Sequence, residues 1–426
     1  MSDRRSNMDI EQALTEWADE VAPKSPPSRL LESTFVRTMG TKQVRVYPWN
    51  KLMLGRRGLS NSGSGARFAV VVLVGMLVLA MAVGFVGGGF RSAVTPSPSP
   101  SPTAVPSPSP LPPAAISVVA EATIDVSGAI AMVSDSQHLW VMAAGGRMDR
   151  IDAGTASVTN SATFGPPTDL YNGLSLGADA LWATDADNST LYRLDPTTLK
   201  VAATITAGLS PKGVHANADG VWVADVHGGA VLRINPATNN VEATITVGPT
   251  GPSGPNWLAE GQGSIWVDIP NNHTIARVDA ITDTVQATIQ APPGFVPCGG
   301  IVIADDGRHF GPLQRFSAWV MSCDSGQAVV RLDAKSNTAV ATIPLPGHGY
   351  NPTLINGFVW MSVDGGDAES GRLVRIEPTT NTIDRVVVPS TSFGGGGDIA
   401  VAGGKVWVVD AYHNTVIGLP MSAFAP

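Results

Sequence analysis

Seven tryptophans, Trp140, Trp182, Trp222, Trp266, Trp319, Trp360 and Trp407, recur after residue 130 at spacings of 42, 40, 44, 53, 41 and 47. A period of about 40–50 residues is the length of a four-stranded propeller blade. Each tryptophan lies in a short apolar run, as in Val221-Trp222-Val223-Ala224 and Val406-Trp407-Val408-Val409. Roughly eleven residues later comes an apolar strand carrying an arginine and ending in a turn. Leu191-Tyr192-Arg193-Leu194-Asp195-Pro196, Val231-Leu232-Arg233-Ile234-Asn235-Pro236 and Leu373-Val374-Arg375-Ile376-Glu377-Pro378 are instances. The arginine recurs as Arg150, Arg277 and Arg331, and Gly418 replaces it in the last unit. A further strand follows, seen in Val201–Ile205, Val241–Ile245, Val285–Ile289 and Ala339–Ile343. Short, alternating, β-branched segments bounded by Gly, Pro and Asn are antiparallel strands. Small twisted sheets of this kind bury both faces when they stack in a ring. The sequence therefore predicts an all-β, seven-bladed β-propeller over residues 114–426.

The ends of the repeat array predict how the ring closes. The last unit stops at Leu419-Pro420, before a fourth strand, while Ala122-Thr123-Ile124 repeats the motif of the other fourth strands. The first strand, 118–126, is expected to complete the last blade, leaving no open sheet edge. These units resemble the YVTN-type propeller repeat, carried here by Trp407-Val408-Val409-Asp410-Ala411-Tyr412-His413-Asn414-Thr415-Val416. They are also similar to the repeats of streptogramin B (virginiamycin B) lyases. The resemblance covers residues 118–420 and implies the ring fold. The lyase resemblance further implies chemistry on a small molecule at the channel mouth, with a divalent metal; no lyase residue is transferable position by position.

Ahead of the repeats the chain changes character. Phe68–Phe90 is 23 residues long without a charge, and at about 1.5 Å per residue it reaches across a bilayer core. Lys51, Arg56, Arg57 and Arg67 precede it and Arg91 follows, so the positive-inside rule keeps the N-terminus cytoplasmic. A cleaved signal peptide would carry its apolar core much nearer the N-terminus. Residues 91–113 form a Pro/Ser-rich stalk, and its alternating prolines favour the stiff polyproline II form. The expected protein is a single-pass cell-membrane protein of a bacterial envelope with an extracytoplasmic propeller. In the cytoplasmic tail, residues 1–67, two short amphipathic helices carry Ile10, Leu14, Trp17 and Val21, then Leu31, Phe35 and Met39. A cytoplasmic protein partner for residues 9–39 would make the chain a transmembrane regulator, a layout comparable to membrane-bound anti-sigma factors. The tail lacks Cys and His, which removes a zinc-type motif of that class.

Residues 68–426 hold 16 Lys/Arg against 28 Asp/Glu, a formal charge of −12. Nucleic acid is not the expected partner of such a surface. In a propeller the turns joining second to third strands share one face with the connections between blades. His227, His273, His348 and His413 fall on that face, with Asn256, Trp257, Tyr350, Lys212 and Asn351 nearby. They are the candidate ligand-binding residues, and few acidic side chains are expected beside the histidines. Solvated loop polarity is the simpler and favoured explanation of such residues. Gly173-Leu174-Ser175-Leu176-Gly177 matches a nucleophile elbow by letters, but Ser175 falls on an inner strand where that motif needs a strand-to-helix turn. No resident cofactor is expected, and a divalent metal is the one candidate. Cys298 and Cys323, the only cysteines, fall at neighbouring strand ends in blade five, where a disulfide suits an oxidising exterior. The expected role is a binding or interaction module for a small-molecule or cell-envelope ligand, with lyase-like catalysis as the alternative.

Overall fold

A computed structural model describes residues 113–166, 171–305, 316–322 and 327–426. Residues 1–67, expected to be a cytoplasmic tail, the apolar segment Phe68–Phe90 and nearly all of the expected stalk lie outside the described residues, as does Cys323. Among the described residues no helix is long and apolar enough to cross a membrane.

Seven antiparallel sheets form the ring, in order along the chain. Blade three shows the pattern: Pro211–Asn217 innermost, then Gly220–Asp225, Ala230–Asn235 and Asn240–Thr246 outermost. The other blades run over residues 129–163, 171–206, 258–290, 297–344, 348–389 and 399–420. The buried apolar side chains of the described residues fall into seven clusters, one at each junction of adjacent blades. Six tryptophans are fully buried there and Trp140 nearly so. The tryptophan period is thus the period of the packing layers between blades.

Closure follows the sequence pattern with one addition. Ala122–Asp125 pairs antiparallel with Thr415–Pro420 and supplies the fourth strand of blade seven. Ala115–Val118 is a separate strand, parallel to Val386–Pro389 on the outer edge of blade six. Ser390 N donates to Val118 O at 2.7 Å, extending that ladder.

The recurrent arginine ties each blade to the next. Arg193, Arg277 and Arg331 stack over Trp182, Trp266 and Trp319 with 5.0–5.4 Å between guanidinium carbon and ring centre. Each then donates to the turn between third and fourth strands of the following blade. Arg193 reaches Pro236 O at 2.7 Å and Asn239 Oδ1 at 3.2 Å. Arg277 reaches Ala334 O and Asn337, and Arg331 reaches Pro378 O and Asn381. Asn239, Asn337 and Asn381 all have positive φ, a conformation asparagine tolerates. The turn and the receptor for arginine are therefore one residue. A register shift recurs beside the arginine in these ladders, as between Arg233 and Ile234 or Arg331 and Leu332. Bulges re-aim side chains in this way.

Three junctions depart from the pattern for visible reasons. Blade seven takes its fourth strand, Ala122–Asp125, from the other end of the array and so has no turn between third and fourth strands; Arg375 of blade six donates to Ala425 O at 3.1 Å instead. In blade two the left-handed position is Leu199, which cannot accept a hydrogen bond. There Trp140 Nε1 makes the crossing bond to Pro196 O at 2.8 Å, while Arg150 turns to His138. At Gly418 any Cβ would lie 2.9 Å from the Trp407 ring, so the last blade has no room for an arginine. Replacing the buried Arg331 with Ala should cost about 3 kcal/mol, because Ser317, Pro378 and Asn381 lose a charged donor together. Urea unfolding of Arg331→Ala checks this; a loss below about 1 kcal/mol would mean that the stacking alone holds the junction.

Candidate functional site

Inner strands approach the axis so closely that a Cβ on Gly173 would collide with the carbonyl oxygen of Lys212. The channel they leave is narrow: a cavity of about 140 Å³ to which every blade contributes, through Ala131, Leu174, Val214, Trp257, Ile301, Asn351 and Asp398. Asp398 is spent on structure. It accepts from Met132 N of blade one at 2.8 Å and from Asn351 Nδ2 of blade six at 2.6 Å, and burial raises its pKa. Ser175, far from an elbow, lies on the inner strand Tyr171–Gly177 and accepts from Ala216 N at 3.0 Å.

The four histidines of the first face stand on four blades and have separate surroundings. His413 Nδ1 lies 2.8 Å from Asp410 Oδ2 in blade seven. His348 packs edge-on against Tyr350, with ring centres 5.1 Å apart, and Tyr350 Oη donates to Asp364 at 2.8 Å. Burial, followed by this bond to Asp364, raises the Tyr350 pKa. His273, in a left-handed conformation, places Nδ1 3.1 Å from Phe295 O. His227 is exposed at the tip of its turn. His215, on an inner strand, is held neutral by burial, with its pKa lowered to about 4.

Acidic side chains are closer to the histidines than the sequence suggested. A buried aspartate ends the second strand in several blades: Asp185, Asp225, Asp364 and Asp410. Each accepts backbone N–H groups of its turn, as Asp225 does from Leu209, Ser210 and Gly228. The signal was legible as Asp three residues after Trp182, Trp222 and Trp407. Among the described residues no three His, Cys, Asp or Glu groups are placed to hold a metal ion.

Blade four breaks this series. Trp266 pairs with Arg277 as Trp222 pairs with Arg233, so Asp268 occupies the position of Ala224 and Ile269 that of Asp225. Asp268 is fully buried; its Oδ1 accepts from Trp257 N at 2.7 Å, and its Oδ2 has no hydrogen-bond partner among the described residues. Desolvation raises its pKa to about 8, against the pull of these bonds and of Lys212. Lys212 in turn lies over the Trp257 ring, with Nζ 5.2 Å from its centre.

A recess on this face, lined in part by Lys212, has a volume of about 370 Å³. Ala186, Lys212, His227, Asn256, Pro270 and Val296 are among its walls, so blades two to five share it. Of the residues expected from the sequence, the structure brings His227 and Asn256 together here, beside Lys212. Trp257 lines the channel instead, and His273, His348, Tyr350 and His413 belong to other parts of the rim. Asn256 is buried and donates to Cys298 O at 3.2 Å. Cys298 is disulfide-bonded.

The molecule is a seven-bladed β-propeller, the class to which streptogramin B lyase also belongs by fold. Among solved structures it is similar to streptogramin B lyase, at 16% identity and a TM-score of 0.56 over 70% of this chain and 94% of that one. It is also similar to the hydrazine synthase of Kuenenia stuttgartiensis, at 14% identity and a TM-score of 0.58 over 71% of this chain and 98% of that one. At these identities the likeness is one of fold. Comparison by sequence finds no matching family and no matching curated protein.

Proposed function

We propose that this chain is a membrane-anchored, extracytoplasmic binding module whose ligand sits on the first face of the propeller. The observation that supports it is the 370 Å³ recess walled by four blades, with polar groups from Lys212, His227 and Asn256 among apolar neighbours. A few convergent polar groups in an apolar concavity suit a small molecule or the end of an envelope polymer. The anchor rests on Phe68–Phe90 and the basic residues before it. Labelling from outside intact cells should reach the propeller and not the tail. A disulfide between Cys298 and Cys323 belongs to the same extracytoplasmic reading.

The test of binding is a thermal-shift screen of residues 113–426 against cell-wall fragments, sugars, metals and small metabolites. A ligand at 100 times its dissociation constant should stabilise the fold by about 2.7 kcal/mol. A shift abolished by His227→Ala places the ligand at the recess; a screen without any shift would sink the reading. A second reading, lyase-like catalysis, is supported by the His413–Asp410 pair, since a carboxylate held against an imidazole orients it for proton transfer. It predicts turnover of a screened ligand that His413→Asn abolishes without loss of binding.

A further inference from the structure

Lys212 stands out among the charged groups of the first face. It is half-buried, and apart from its stacking on Trp257 its ammonium makes no hydrogen bond or ion pair among the described residues. A desolvated ammonium without a counterion is costly unless something else supplies the charge. Its ammonium pKa is lowered by burial. Asp268, the buried acid whose charge acts on Lys212, does not line the recess and is itself shifted towards its neutral form at neutral pH. Asp225 lies close to the same wall, but its carboxylate is engaged by three backbone N–H groups.

The recess wall carries a lysine, a histidine, two serines and an asparagine, and no Asp or Glu. In a segment with a formal charge of −12, a wall without any acid is selective. Ser210 and Ser253 bring hydroxyls that donate as readily as they accept. Val226, Pro252 and Val296 supply apolar surface that keeps water from screening the charge. The loop that carries Pro252, Ser253 and Gly254 into the wall is packed closely on its neighbours. A Cβ on Gly254 would collide with Val226 O, and Asn256 N donates to Asp268 O at 3.0 Å.

We infer that this recess binds a small anion, a ligand presenting a carboxylate or phosphate group to Lys212, with Ser210, Ser253 and His227 as further donors. The inference rests on the binding reading above and names its ligand class. Phosphate and carboxylate share the chemistry that the wall recognises, and the two are separated by experiment.

The intact chain is titrated by calorimetry with inorganic phosphate and, separately, with acetate, at ionic strength held constant with sodium chloride. One probe, or both, should bind saturably to the wild type, and Lys212→Met should weaken that binding about tenfold or more. Lys200→Met, on an exposed turn of the opposite face, should leave it unchanged. A measurement on the wild-type chain guards against a misfolded variant: acylation of the Lys212 amine, read by mass spectrometry, should slow at saturating probe while Lys200 reacts at its former rate. No saturable binding of either probe overturns the assignment. So does equal binding by wild type and Lys212→Met, or equal acylation with and without probe. If a neutral ligand binds in the screen while Lys212 stays unprotected by both anions, the anion assignment falls and the binding module stands.

Discussion

A chain beginning at residue 127 should fail to close the ring and should unfold at far lower urea than one beginning at residue 113. Ala122–Asp125 is the outermost strand of blade seven, and without it the edge of Thr415–Pro420 loses its partner. Ile124 and Val126 are buried in the cluster that holds Trp407, Val416 and Leu139. Val118 is buried in the adjoining cluster with Phe393 and Ile417. Three such side chains are worth about 1.5–3 kcal/mol each, against a net stability of about 5–15 kcal/mol for a whole domain. The loss is therefore comparable to everything the fold has in hand. Urea unfolding of the two chains, followed by tryptophan fluorescence, reads it directly. Ile116→Asp in the longer chain should be nearly silent, since Ile116 is 50% exposed. Equal midpoints for the two lengths would show that the ring closes without its N-terminal strand.

Asp268→Asn should remove a pH dependence that the wild-type fold carries through one buried acid. The pKa of Asp268 is about 8 in the fold, against an ordinary 3.8, so the folded state holds its proton where the unfolded chain releases it. A raised value means that this contribution is complete below about pH 4 and disappears as pH rises through about 8. Asparagine keeps the oxygen that accepts from Trp257 N and cannot ionise. The variant should therefore gain stability relative to wild type across that window, on the order of 6 kcal/mol between about pH 4 and pH 9. Taking the difference cancels carboxylates that act in the opposite direction, such as Asp195 and Asp279, whose pKa values are lowered by hydrogen bonds within their turns. A difference that stays flat over this range would mean that Asp268 ionises normally.

The blade count and order of strands were legible because the tryptophan reports a packing layer, and a layer must recur once per blade. Ring closure was legible because Ala122-Thr123-Ile124 copies an outer strand. The strand Ala115–Val118 was not, since it lies outside the repeat and copies nothing. The arginine was visible as a periodic residue, but its partner sits in the next repeat, at the asparagine of a left-handed turn. Only the folded ring shows that Arg193 and Asn239 belong together. The face carrying the histidines followed from strand alternation. Which of them converge depends on how far each loop reaches toward the axis, as with Gly248–Asn256, and alternation says nothing about reach. Asp268 left a trace in the sequence, two residues after its tryptophan where blades two, three and seven have three. Reading it required the ladder register.

The strand at the margin of blade six also decides how this ring takes a load. Ala115–Val118 is met before the closing strand by any pull on the chain ahead of it. Tension from that side acts on two ladders in series. The first joins four residue pairs at an outer edge, contributes one buried side chain, and can peel and re-form while the circle stays whole. The second holds the circle shut. A pull on the chain ahead of Ala115 therefore meets a strain relief before it meets the clasp, and small tugs are absorbed at the rim of blade six.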